Sequence, residues 1–319
     1  MNTPIVSPKI SVIICTYNRG WQIANTITSL SNQSLPKTEF EIIIVDNDNF
    51  PNADVIQVVN SFKTTSFSLH LNYIYCPTTG LSFARNAGIS VSKGQIICFI
   101  DDDVIALPEW LKTIKSAFEE HPDAGVIGGH IILKIPTPRP RVLRPGLEAY
   151  WSQLITDYSE YTEVNIWYKF PWGANWCARK KALLEIGGFD IHYGRCGNDY
   201  GGGEELVAAS LIQRLGYKIA ISPQSEVIHV VEPKRFTSSY LWKTILAEIT
   251  IRSRAQRDNF IHGESINWNN FGHAFTKKLH IFITDKREEN RRIPIVFMKL
   301  FAHLIVLCTE KYKQRERKD

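Results

Sequence analysis

Asp101-Asp102-Asp103 is the only run of three acidic residues in this 319-residue chain. Mg²⁺ and Mn²⁺ take oxygen ligands, and Mg²⁺ is commonly shared between one or two carboxylates and the phosphates of a substrate. Asp101 and Asp103, one residue apart, suit a division of labour in which one reaches a ribose and the other a metal. A solvated acidic turn is the ordinary alternative. Glu204-Glu205 follows Gly201-Gly202-Gly203 at a helix start, where a carboxylate can take the proton of an acceptor hydroxyl. Acid there is also plain favourable placement in the helix dipole. His229, in Val227-Ile228-His229-Val230, offers imidazole to a metal or is a satisfied core histidine. In Thr16-Tyr17-Asn18-Arg19 the tyrosine suits stacking on a base, or the segment is a turn with Asn18 as a cap. Asp46 suits hydrogen bonds from a base or ribose. Arg85, in Gly80–Asn86, suits a diphosphate or a brace for the acidic cluster, against a surface salt bridge. Trp167, Tyr168, Phe170, Trp172 and Trp176 offer faces for a sugar or belong to the core.

The elements that position these residues follow from the apolar pattern. Lys9–Cys15, Glu41–Val45, Leu71–Tyr75 and Gln95–Ile100 are short apolar runs that read as strands. Trp21–Leu30, residues 53–62 and Leu81–Val91 read as the helices between them, and Pro108 opens a further helix at its first position. Strands alternating with helices imply a mostly parallel sheet covered on both faces. In such sheets ligands bind beyond the carboxyl ends of the strands. Thr16–Asn18, Asp46-Asn47 and the aspartate triplet all stand there. The second half is less regular. Pro136–Pro145 holds four prolines and three arginines and reads as a loop. Gly187-Gly188 ends a helix-like stretch. Glu204–Leu215 and Phe236–Asp258 read as helices, and residues 194–203 as a lid over the site.

Composition excludes several classes. With 44% hydrophobic residues the chain can bury a sizeable core. Residues 286–319 hold ten Lys/Arg and five Asp/Glu; taking these from the chain's 37 and 32 leaves 27 of each, so the +5 charge lies in the tail. A basic nucleic-acid groove in the body is therefore not expected. The six cysteines are scattered without a C-x-x-C pair, which points to buried thiols in a reducing compartment. Met1 to Pro8 is polar and carries no secretory leader, and no run of about 18 apolar residues marks a transmembrane helix. P-loop, G-x-G-x-x-G, H-E-x-x-H and G-x-S-x-G patterns are absent. Ile293–Cys308 is an apolar helix candidate flanked by basic residues. It suits either an interfacial helix on an anionic membrane, through residues 293–319, or a terminal helix packed on the domain.

In order along the chain, SVIICTYNR (11–19), EIIIVDND (41–48), GLSFARNAGI (80–89), CFIDDDV (98–104), WGANWCARKKALLEIGGFD (172–190), GGGEEL (201–206) and VIH (227–229) resemble the family 2 glycosyltransferases, inverting enzymes with the GT-A fold. The general look is that of bacterial exopolysaccharide enzymes, including the cyanobacterial hormogonium-polysaccharide type. The resemblance implies an α/β fold with a Rossmann-like, mixed and mostly parallel sheet flanked by helices, and a helical C-terminal extension. It divides the chain into a transferase domain over 1–235 and a helical region with a basic tail over 236–319. Within the first, about 9–130 would bind nucleotide and about 131–235 would hold acceptor and base.

The same resemblance assigns roles. Thr16, Tyr17, Asn18, Asp46 and Asn47 would hold the nucleoside, with Asp101 and Asp102 beside them. Arg85 would support the nucleotide site. Asp103 would be the direct ligand of Mn²⁺ or Mg²⁺, with His229 touching metal or diphosphate. Asn175 falls where the family lines the donor-sugar pocket. Glu205 matches the position of the general base, usually Asp in the family, and Glu204 is its reserve. The donor would be a UDP- or GDP-sugar and the acceptor a glycan or lipid-linked hydroxyl. No nucleic acid is involved, and the setting is cytoplasmic or at the inner face of the plasma membrane. Two other classes compete: a nucleotide-sugar-binding protein without turnover, and a sugar-phosphate nucleotidyltransferase.

Overall fold

A computed structural model describes residues 8–20, 22–65, 69–197, 201–261, and 301, 302, 304 and 305. The strands are β1 (Ile10–Thr16), β2 (Phe40–Asp46), β3 (Leu71–Tyr75), β4 (Ile96–Asp101), β5 (Val104–Ala106), β6 (Ala124–Gly128), β7 (Ile131–Leu133), β8 (Thr162–Glu163), β9 (Trp176–Arg179), β10 (Lys218–Ile221) and β11 (Val227–His229). The helices are α1 (Ile23–Ser31), α2 (Ala53–Thr65), α3 (Leu81–Val91), α4 (Trp110–Glu120), α5 (Lys180–Glu185), α6 (Glu204–Arg214) and α7 (Ser238–Arg257).

Eight strands form one sheet in the order β3-β2-β1-β4-β9-β6-β10-β8. The pairs β3–β2, β2–β1, β1–β4 and β6–β10 are parallel, while β9 runs antiparallel to both β4 and β6. The mixed, mostly parallel sheet expected from the alternation is present. Its first strands read as unbroken apolar runs because both faces are covered. Ile10, Val12 and Ile14 pack with Ile23 and Ile27 of α1 and Val55 of α2. Ile13 points the other way, with Ile97, Phe99 and Ala84 of α3. Each such fully buried side chain is worth at most about 1.5–3 kcal/mol. A second sheet, β5-β11-β7, is small but decisive for the site. It pairs His229 with Val104, one residue past Asp103.

Pro108 does not open its helix. It sits in the preceding turn, where its carbonyl accepts Ser34 N–H at 2.9 Å, and α4 starts at Trp110. Gly187 and Gly188 follow α5 with φ +79° and +84°, as glycine permits after a helix.

The chain divides into two compact units: residues 1–199 with 203–235, and residues 200–202 with 236–319. Within the first, β9 inserts between β4 and β6, so residues on both sides of position 130 share one sheet. In the second, α7 is capped by Thr237, whose hydroxyl accepts Tyr240 N–H at 3.1 Å. Leu241, Ile245 and Ile249 make its buried stripe at i, i+4 and i+8. Most of the 293–308 helix candidate and the whole 306–319 tail lie outside the described residues, as do 198–200 of the expected lid. Among the described residues, no helix is long and apolar enough to cross a membrane.

Candidate active site

The sheet order places a switch between β1, which continues to β2 and β3, and β4, which leads the other way. Ligand crevices of open α/β sheets form at such points. The register sets Cys15 opposite Asp101 and Thr16 opposite Asp46, so three polar strand ends meet there.

The acidic triplet is divided by its surroundings. Asp101 ends β4 and is part-exposed, whereas Asp102 and Asp103 are buried. Asp102 turns inward: Thr16 Oγ1 donates to its Oδ2 at 2.8 Å, and Arg19 Nη1 lies 3.2 Å from its Oδ1. Burial and the neighbouring Asp103 push the Asp102 carboxyl up to about 7 against the pull of Arg19 and Thr16. The two oxygens of Asp103 face different partners. Arg19 Nη1 at 3.0 Å and Arg235 Nη1 at 3.6 Å hold Oδ2. Oδ1 lies 3.2 Å from His229 Nε2, is buried and accepts no aligned hydrogen bond. Burial raises the Asp103 carboxyl, but His229 and Arg19 outweigh it and hold the group below its ordinary range. The other ring nitrogen of His229, Nδ1, lies 3.0 Å from the Trp151 carbonyl, which fixes the imidazole and turns Nε2 to the site.

Asp101, Asp103 and His229 each present one ligand atom, and the three atoms lie within 4.8 Å of one another. An octahedral cation bonded at about 2.1 Å holds adjacent ligands roughly 3 Å apart and opposed ones about 4 Å apart. The set therefore fits one cation after a small closure. The orphaned Asp103 Oδ1 is the atom such an ion would satisfy.

A second cluster joins residues from both halves of the unit. Arg85, on α3, is buried, with Nη1 2.8 Å from Glu204 Oε1 and 4.0 Å from Glu205 Oε2. Its guanidinium also lies 5.4 Å from the Phe99 ring centroid and 5.2 Å from that of Phe189. Burial opposes its charge, but Glu204, Glu205 and Asp101 together keep it protonated. Burial and the adjacent Glu205 push Glu204 up to about 7, against Arg85. The two glutamates differ in access. The Glu204 side chain is 2% exposed and that of Glu205 22%. Glycine at 173 makes room for this cluster, because a Cβ there would stand 2.6 Å from Arg85 Nη2. Arg85 is thus tied to the two glutamates.

The remaining residues expected in the site are placed as follows. Asp46 is buried and accepts Asp48 N–H at 3.1 Å, Asn52 N–H at 2.7 Å and the Tyr73 hydroxyl at 2.7 Å. Asn47 braces the next strand end: its Nδ2 donates to the Cys76 and Thr78 carbonyls, and its Oδ1 accepts Gly80 N–H at 2.8 Å. Asn18 is exposed at φ +56°, and its N–H donates to Asp48. Tyr17 is half-buried. Asn175 is 0% exposed with its whole amide committed: Oδ1 accepts Trp110 Nε1–H at 2.9 Å, and Nδ2 donates to the His130 and Ser225 carbonyls at 3.1 and 2.7 Å. It is a brace between α4, β9 and the Ser225 turn. Arg19, Arg235 and the Trp151 carbonyl join the site without having been expected there. Arg19 could have been found from its place in the first strand-end turn; Arg235 leaves no signal in sequence.

Comparison with known proteins gives the family and the fold. Residues 11–187 match the family described as Glycosyl transferase family 2. The chain is 26% identical over 227 residues to a glucosyl-dolichyl phosphate glucuronosyltransferase of Haloferax volcanii, covering 69% of each chain. It is 26% identical over 240 residues to the succinoglycan biosynthesis protein ExoM of Rhizobium meliloti, covering 73% of this chain and 71% of that one. Among solved structures it resembles the mannosyltransferase PcManGT from Pyrobaculum calidifontis in complex with GDP-Man and Mn²⁺, with TM-score 0.64 and 16% identity over 96% of this chain and 88% of that one. It also resembles residues 1–349 of TarS from S. aureus in complex with UDP, with TM-score 0.54 and 18% identity over 96% and 91% of the two chains. At these identities the structural likeness speaks for the fold. The sequence matches favour a transferase over a mere binding protein or a nucleotidyltransferase. The family match spans more than half of the chain and takes in both the strand-end turn of β1 and the aspartate triplet: the chain belongs to glycosyl transferase family 2 and is a glycosyltransferase with the GT-A fold.

Proposed function

We propose that this glycosyltransferase is a metal-dependent, inverting enzyme that moves a sugar from a nucleoside-diphosphate sugar to a hydroxyl of a glycan or lipid-linked acceptor in polysaccharide biosynthesis. The observation that carries this reading is the convergence of Asp101, Asp103 and His229, with Asp103 Oδ1 buried beside His229 Nε2 and without an aligned hydrogen bond. Two carboxylates suit Mg²⁺ or Mn²⁺, and the imidazole nitrogen favours Mn²⁺ of the two. A cation held there would supply positive charge to the leaving diphosphate.

The chain's own residues do the rest. Thr16 and Arg19 hold Asp102 away from the metal position. Tyr17 offers a ring to the base, with Asn18 in the same turn and Asp46 at the neighbouring strand end. Asn47 and Asn175 fix the loops that shape the pocket. Glu205 is the more accessible glutamate and the more weakly paired, so it takes the proton of the acceptor hydroxyl. That oxygen bonds to the anomeric carbon while the bond from the carbon to the diphosphate oxygen breaks. The nucleoside diphosphate leaves with the electron pair, and the single displacement inverts the centre. Arg85 and Glu204 set the position of Glu205. A glycan acceptor and a polysaccharide setting accord with the named role of ExoM. Peripheral membrane contact through 293–319 would bring a lipid-linked acceptor to hand.

A panel of UDP- and GDP-sugars, screened by thermal shift with and without Mn²⁺ or Mg²⁺, tests the reading. One donor is expected to stabilise the protein only with a cation and then to be transferred with inverted anomeric configuration. Stabilisation and transfer that survive EDTA would remove the metal from the mechanism.

A further inference from the structure

Arg19 and Arg235 both carry a fixed positive charge to Asp103 of the metal set, and Arg19 also to the neighbouring Asp102. Arg19 Nη1 bridges it, 3.2 Å from Asp102 Oδ1 and 3.0 Å from Asp103 Oδ2. Arg235 Nη1 stands 3.6 Å from the same Asp103 Oδ2. The two aspartate side chains are 6% and 3% exposed, whereas Arg19 is 25% exposed. Arg19 is the more exposed of the two arginines, Arg235 being 13% exposed. It extends from a surface turn whose residue 18 is exposed, not from a packed helix.

Charge balance gives this arrangement a consequence. Two guanidinium groups already offset two of the three aspartates, so a bare divalent cation entering the site gains less net attraction and meets repulsion from Arg19. A nucleoside diphosphate changes both terms. Its oxygens add negative charge beside the cation, and they match the planar fork of a guanidinium better than a shared single contact does. We propose that Arg19 is a built-in counter-cation of the metal site, resting on Asp102 and Asp103 in the free enzyme and passing to the diphosphate when donor and metal enter together. The inference rests on the metal reading given above. It makes metal and donor binding thermodynamically coupled through one residue of this chain. Arg19 is a positioning residue in the free state and a donor-binding residue in the loaded one.

Titration calorimetry of the full chain with Mn²⁺, alone and with saturating UDP or GDP as probes, tests it. Arg19→Gln is expected to bind Mn²⁺ alone about fivefold tighter or more than wild type, with a smaller gain on adding the diphosphate. Arg19→Lys, which keeps the charge, is expected to retain wild-type Mn²⁺ affinity. A merely structural arginine would give weaker Mn²⁺ binding in both variants. Arg19→Gln binding Mn²⁺ no tighter than wild type overturns the proposal. So does wild type whose Mn²⁺ affinity is unmoved by either diphosphate, a measurement that needs no variant to fold. Failure of the metal reading looks different: wild type and Asp103→Asn then bind Mn²⁺ alike, or not at all, with the diphosphate present.

Discussion

His229 Nε2 lies 3.2 Å from Asp103 Oδ1, on the side of the carboxylate that Arg19 and Arg235 leave open. The second ring nitrogen faces the Trp151 carbonyl, so the imidazole has one orientation, with Nε2 turned to Asp103. Asp103→Asn keeps the shape but removes the charged ligand. Transfer is expected to fall about 10²–10³-fold, because the leaving diphosphate loses its preorganised charge. His229→Gln removes one ligand of three and is expected to weaken Mn²⁺ binding about 10–100-fold. Rates measured across a Mn²⁺ titration check both. Wild-type Mn²⁺ dependence in His229→Gln would take His229 out of the metal set.

Glu204 and Glu205 are separable by substitution. Glu205→Gln is expected to lose transfer by about 10²–10⁴-fold with donor binding intact, since only the proton acceptor is gone. Glu204→Gln removes the closest partner of Arg85 and is expected to slow turnover less. Single-turnover rates together with calorimetric donor affinity distinguish them. A dead Glu204→Gln beside an active Glu205→Gln would exchange the two roles.

The strands were legible wherever one physical rule sufficed. Glu41–Val45 falls within β2, which is buried along its whole length, and Leu71–Tyr75 and Leu81–Val91 coincide with β3 and with α3, which Gly80 caps. What the pattern hid was long-range. The antiparallel β9 between β4 and β6 cannot be seen in a βα alternation, since its four residues look like any buried run. Asn175 is expected at the donor sugar because it falls where the family lines that pocket. Its partners, Trp110, His130 and Ser225, are 45 to 65 positions away, so its occupation was invisible. Arg85 suits a diphosphate or a brace for the acidic cluster, and nothing local reveals that the carboxylates returning to it are Glu204 and Glu205.

That hidden commitment of Asn175 is testable. Asn175→Ala leaves the buried Trp110 N–H without its acceptor and takes a donor from the Ser225 and His130 carbonyls, of which His130 keeps the Val227 N–H. The expected cost is about 2–4 kcal/mol, lowering Tm by roughly 5–10 °C. Thermal unfolding reads it directly. An unchanged Tm with a raised donor KM would return Asn175 to the sugar pocket.

The Glu204 carboxyl, pushed up to about 7 by burial and by Glu205, gives a stability signature with a definite sign. Unfolded, it titrates near about 4.3. Between that value and about 7 the folded state holds the extra proton, so this group lowers stability as pH rises through the window. Glu204→Gln cannot lose a proton and escapes the penalty. Relative to wild type, the variant is expected to gain on the order of 2 kcal/mol in going from pH 4.5 to pH 7.5, whatever its offset at low pH. Denaturant unfolding at both pH values measures the difference. A parallel pH dependence of the two proteins would mean that Arg85 keeps Glu204 ionised throughout.

Gly173 tests the placement of the base without touching a charged group. Its backbone is not in the left-handed region, so alanine is conformationally acceptable there. The added methyl would stand 2.6 Å from Arg85 Nη2 and 3.4 Å from Glu205 Oε1. Arg85 has little freedom to yield, being paired with Glu204 and set beside the Phe99 and Phe189 rings. The strain therefore passes to the glutamates. A displacement of about 1 Å at a reacting group costs up to about 10²-fold in rate, and overpacking costs about 1–3 kcal/mol of stability. Gly173→Ala is expected to lower kcat by at least about tenfold while leaving donor KM close to wild type, because the metal and nucleoside groups lie on other strand ends. Steady-state kinetics with varied donor give the split. A raised donor KM at unchanged kcat would place Arg85 with the donor after all.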